Sequence, residues 1–155
     1  LYRDPRQVLG SMIDGWQSGR FVMYPNLPGW QGLPWSFLLT PGWRALSGRP
    51  LGEVVAAQWE SATRQLLDDL DALDPADWIA VDDARFLAQP QAQVQRLCDW
   101  AGWGWDRTLG AALPHSRYTL TAPDPEKWRR HAAQIEPLLP GLAVTAARAA
   151  AAVQA

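Results

Sequence analysis

The strongest constraint on how this chain folds is a helix start fixed at its fifth residue, in Leu1-Tyr2-Arg3-Asp4-Pro5-Arg6. Asp4 is a favoured N-cap, its carboxylate accepting from the free amides of a first turn. Pro5 suits the first helical position, where its missing N–H costs nothing. Val8, Met12 and Trp16 follow at helical spacing, with Leu9 and Ile13 widening the stripe, which predicts a helix over residues 5–17. Leu1 and Tyr2 then read as the end of a strand feeding that helix. A strand entering a helix N-terminus through a short polar turn is an anion site, because free amides and the macrodipole point outward. Arg3 adds a planar fork able to hold a phosphate through two parallel hydrogen bonds. Ser11 lies roughly 9 Å along the axis from Pro5, at about 1.5 Å per residue, beside the same position. The alternative is a capped helix with Arg3 paired to a surface carboxylate.

Downstream, Val55, Trp59, Ala62, Leu66, Leu70 and Leu73 recur every three or four residues, with most charges on other faces, which predicts an amphipathic helix packed on a sheet. Residues 77–81, Asp-Trp-Ile-Ala-Val, read as a brief buried strand. Gln89-Pro90 leads into Val94, Leu97, Cys98 and Ala101, a helix closing at Gly102. Residues 143–155 are helix-prone and alanine-rich, with an end expected to fray. Residues 21–49 hold Trp30, Trp35 and Trp43 among prolines and glycines, which forbids a long regular element.

Taken together these stretches resemble the sulfotransferases that use 3′-phosphoadenosine 5′-phosphosulfate (PAPS). In that family an arginine opening an RDPR-like motif and a serine eight residues later contact the 3′-phosphate, and Arg3 and Ser11 have that separation. The resemblance implies an α/β fold, a P-loop-like domain with a parallel sheet, mostly helical within these residues. It implies one domain over residues 1–155: a strand end and 3′-phosphate helix at 1–18, a variable acceptor-side loop at 19–51, and helices, a short strand and a cofactor-covering tail at 52–155. Cofactor contacts are expected from Arg3, Ser11, Arg6, Arg117 and Lys127, with Arg130 a further cation of the tail. Tyr24, Trp30 and Trp35 fall in the acceptor-varying region, where indole faces either stack on a small-molecule or glycan acceptor or pin a long loop to the body.

The chain departs from the family pattern in several places. Tyr-Glu-Asp, common after the strand, is replaced by Val81-Asp82-Asp83 or, in the other alignment, Asp83-Ala84-Arg85, and the Arg-Lys-Gly loop of some relatives has no counterpart. The 5′-phosphosulfate loop and catalytic histidine are expected upstream of Leu1, since His115 and His131 come too late to match. The chain is therefore read as the C-terminal portion of a sulfotransferase that transfers a sulfuryl group from PAPS to a hydroxyl or amine, leaving PAP.

Two other classes are compatible with these residues. One is another nucleotide-phosphate transferase, such as part of a nucleotide kinase. The other is a non-catalytic protein- or glycan-binding module on a degenerate sulfotransferase fold, using the Trp30 to Trp43 surface.

Composition narrows the rest. The net charge is −2, with acids concentrated in residues 60–83 and bases near Arg3, Arg6 and residues 117–130, which suits a small anion rather than a nucleic-acid track. No apolar run approaches the ~20 residues of a membrane span, no signal peptide is seen, and the cytoplasm is the expected compartment. The single cysteine, Cys98, reads as a buried structural thiol. One cysteine and two separated histidines make no zinc-ligand pattern, so no metal is expected. Of ten tryptophans, Trp16, Trp59, Trp78 and Trp100 are assigned to the core, while Trp103 and Trp105 stay open between loop anchors and nucleotide pocket.

Overall fold

In the computed structural model, residues 1–110, 113–114, 116–117, 119–122 and 124–154 are described. Helices dominate. Helix α1 spans Pro5–Ser18 with Asp4 as its N-cap, the Asp4 side chain accepting from the Arg6 amide at 2.9 Å. The strands β1 (Val22–Tyr24) and β2 (Trp35–Ser36) form a small antiparallel pair, and Trp43–Leu46 makes a 3-10 turn. Helix α2 covers Leu51–Asp71, α3 Asp83–Ala88 and α4 Pro90–Ala101, the last stopped by Gly102 in a left-handed conformation at φ 68°. A 3-10 turn at Lys127–His131 leads into α5 (Ala132–Ile135) and α6 (Leu139–Ala151). The alanine-rich C-terminal segment is thus helical over most of its length.

The expected parallel sheet is reduced, among the described residues, to one parallel bridge between Tyr2 and Asp82. The Tyr2 amide donates to Val81 O at 2.7 Å, and the Asp83 amide donates to Tyr2 O at 2.8 Å. Residues 77–81 do not form the predicted buried strand: Pro75–Asp77 is a 3-10 turn and the following residues are extended and half-buried. A parallel ladder needs strands linked by crossovers, and here only two short extended pieces meet.

The core gathers the buried face of α1 (Leu9, Ile13, Trp16), the first half of α2 (Val54, Val55, Trp59), Trp35 and Trp43 from the loop, and Trp128, Ile135 and Leu142 from the tail. Trp35 sits at its centre with no exposed surface, its ring edge-on to Trp30 at 4.8 Å, Trp16 at 5.3 Å and Trp43 at 6.2 Å. Such pairs contribute about 0.5–1.5 kcal/mol each beyond area burial. Gln58 is buried among these rings. It accepts from Trp16 Nε1 at 3.1 Å and donates through Nε2 to Ser36 O at 3.0 Å and Leu38 O at 2.6 Å. One amide thereby joins α1, α2 and the proline-rich loop.

The tryptophan assignments divide. Trp16 and Trp59 are buried as expected, whereas Trp78 is half-buried and Trp100 is 48% exposed, its indole donating to Ala76 O. Trp100 follows Cys98 by two residues, so a helix that buries Cys98 turns Trp100 away from the same face. No helix among the described residues is long and apolar enough to cross a membrane.

Candidate functional site

Helix α1 carries the site because its two faces are unlike. One face is sunk in the tryptophan core; the other presents Val8, Ser11, Met12 and Asp14 to a cleft of about 930 Å³. The C-terminal half of α2 forms a second wall with Leu66, Leu67 and Leu70. This accounts for Leu66, which belongs to the predicted apolar stripe yet is half-exposed: beyond Trp59 the stripe faces the cleft. Leu1, Tyr2, Arg3 and the extended Trp78, Ile79 and Ala80 form the floor, and Thr119, Thr121 and Lys127 close one side from the tail.

Of the expected cofactor residues, Arg3, Ser11 and Lys127 line this one cavity. Arg3 Nε donates to Gln7 Oε1 at 3.0 Å and lies 3.3 Å from Asp83 Oδ2. Arg3 is thus paired to a carboxylate, one of the two alternatives posed from sequence, and it also lines the cavity. Among the described residues, no hydrogen bond engages the terminal amino groups of Arg3 or the hydroxyl of Ser11. Lys127 Nζ approaches Thr121 O at 3.5 Å.

Arg6 and Arg117 are placed otherwise. The Arg6 guanidinium grips Asp4 through Nε at 3.0 Å and Nη2 at 2.7 Å and lies over the Trp128 ring at 5.2 Å, off the cavity wall. Its amide is taken by the Asp4 cap, so the free-amide anion site expected at this helix start is closed by the protein's own carboxylate. The Arg6 partnership holds the Asp4 carboxyl below its usual 3.8, against the opposing effect of burial. Burial, assisted by the charges of Asp4 and Asp82, raises the Tyr2 hydroxyl above its usual 10.0. Arg117 is exposed and off the cavity wall. Within residues 116–131, part of the expected cofactor-covering tail, positions 118 and 123 lie outside the described residues, as does His115.

The residues expected on the acceptor side do not line the cleft. Trp35 is fully buried, and Trp30 packs against it while donating to Leu33 O at 2.7 Å; both pin the loop, and their faces are occupied by other rings. Tyr24 is exposed on β1, away from the cavity.

Three features of the site were not read from the sequence. Asp83 on the cavity floor and Gln7 in the first turn both hold Arg3. Asp14 anchors the tail, pairing with Arg130 and meeting His131 Nε2 at 2.8 Å. The i,i+4 spacing of Arg3 and Gln7 was readable; the contacts to residues 83, 130 and 131 depend on tertiary folding. Comparisons with protein-family models, curated proteins and solved structures found no match to this chain.

Proposed function

We propose that this chain supplies the 3′-phosphate side of a PAPS site and is part of a sulfotransferase acting on a hydroxyl or amine acceptor. The observation that carries the reading is that Arg3, Ser11 and Lys127, drawn from the lead-in to α1, from α1 itself and from the tail, line one cavity. A volume of about 930 Å³ falls within the ~300–1,000 Å³ of small-molecule sites. The terminal amino groups of Arg3 suit a phosphate dianion through paired, charge-assisted hydrogen bonds, Ser11 offers a hydroxyl, and Lys127 adds a second positive charge.

On this reading the Tyr2–Asp82 bridge is one rung of a parallel sheet of the P-loop-like kind, and α1 is fixed beside it by Asp4 and Pro5. PAPS supplies the sulfuryl group. The residues of this chain bind and orient the other end of the nucleotide, a contribution to catalysis by positioning. The inward-facing Trp30 and Trp35 weigh against a binding module built on the tryptophan loop.

Calorimetric titration of the full-length protein with PAP, using ATP as control, tests the proposal. Arg3→Ala is expected to weaken PAP binding by roughly 30- to 100-fold, as for loss of charge-assisted hydrogen bonds, with little change in thermal stability. Unchanged PAP affinity in Arg3→Ala, or ATP bound as tightly as PAP, would remove the basis of the proposal.

A further inference from the structure

We infer that Gln7 and Asp83 are positioning residues for Arg3, fixing its Nε so that only the two terminal amino groups meet the ligand phosphate. The inference rests on the reading of Arg3 given above and extends it to residues that nothing in the motif singles out.

The geometry has three parts. Gln7 Oε1 accepts from Arg3 Nε at 3.0 Å, from the first turn of α1. Asp83 Oδ2 lies 3.3 Å from the same nitrogen, at the start of α3. Asp83 is itself held, because its amide donates to Tyr2 O at 2.8 Å while Asp82 caps α3 by accepting from the Arg85 amide at 2.9 Å. The guanidinium is therefore braced between the beginnings of two helices that the Tyr2–Asp82 bridge ties together.

A guanidinium presents five N–H groups in a rigid planar fork. With Nε occupied, the side-on approach that pairs Nε with one terminal group is blocked, and the end-on approach through both terminal groups is left. Holding a long side chain in its binding geometry before the ligand arrives also lowers the ordering cost of binding. The Asp83 carboxylate lies on the cavity wall and would repel a phosphate placed against it. The arrangement suits an anion only with the guanidinium between the two, which fixes the side from which the phosphate approaches.

The test compares PAP with adenosine 5′-phosphate, which lacks the 3′-phosphate, by calorimetry on the full-length protein. Gln7→Met removes the acceptor at similar length, and Asp83→Ala removes the paired carboxylate; each is expected to weaken PAP about tenfold while leaving adenosine 5′-phosphate within about twofold. Asp83→Asn keeps the shape but loses the charge of the ion pair, and is expected to weaken PAP by an intermediate factor of about threefold. The Arg3 Nε–H resonance, slow to exchange in the parent protein, is expected to exchange faster in Gln7→Met. A merely structural role would lower both ligands together, and that outcome overturns the inference, as would an unchanged ratio of the two affinities in both Gln7→Met and Asp83→Ala. Arg3→Ala separates the failures: if it abolishes the preference for PAP while Gln7→Met and Asp83→Ala leave it intact, only the positioning role falls. If Arg3→Ala also leaves the preference intact, the 3′-phosphate reading falls with it.

Discussion

Asp4 serves as N-cap and ion-pair partner with one carboxylate, and both roles favour its charged form. Its Oδ1 accepts from the Arg6 amide and Nε, while Oδ2 accepts from Arg6 Nη2. The folded-state pKa is consequently depressed, first by the Arg6 side chain. A depressed carboxyl contributes stability that is present above its unfolded value and is lost as pH falls through the folded one. Asp4→Asn keeps an N-capping oxygen but not the charge. The variant is expected to be less stable than the parent at neutral pH by about 0.5–1 kcal/mol, with the gap closing as pH falls below 3.8. Urea melts across that range measure it, and a gap that widens on acidification would contradict this account of Asp4.

At the scale of elements, α1 approaches the tail more closely than any side chain at position 10 would permit. A Cβ built on Gly10 would lie 2.9 Å from Trp128 Cα and 3.0 Å from its Cβ. The obstructing atoms are backbone and its first side-chain carbon, so the tail itself must move. Gly10→Ala gains about 1 kcal/mol of helix propensity but costs about 1–3 kcal/mol in overpacking. The net expectation is a lower melting temperature and, on the proposed function, weaker PAP binding as well, because Lys127, next to Trp128 in sequence, lines the cavity. A variant more stable than the parent would show that this helix–tail contact has slack.

For the molecule as a whole, Gln58 decides whether the tryptophan loop and the helices unfold together. Gln58→Leu leaves the Trp16 indole N–H and the Ser36 and Leu38 carbonyls without this partner, an expected loss of about 2–4 kcal/mol of stability relative to the parent. Circular dichroism and tryptophan fluorescence are expected to report one coincident melt in the parent; separate melts would mean the loop is a detachable layer. Local signals made much of this legible. Asp4-Pro5 and the spacing of Val8, Met12 and Trp16 determine α1, periodicity determines most of α2 and α4, and the proline density of residues 21–49 rules out long elements there, because capping, backbone restriction and amphipathic period act within a few residues. Arg3 and Ser11 were singled out by the family resemblance, and both line the cavity. Tertiary structure alone decided that Arg6 reaches Trp128, that Trp30 and Trp35 face inward, that Asp83 holds Arg3, and that residues 77–81 contribute one bridge rather than a strand. Those outcomes depend on which distant backbone or ring arrives beside a side chain, and competition among partners far apart in sequence leaves no periodic trace along the chain.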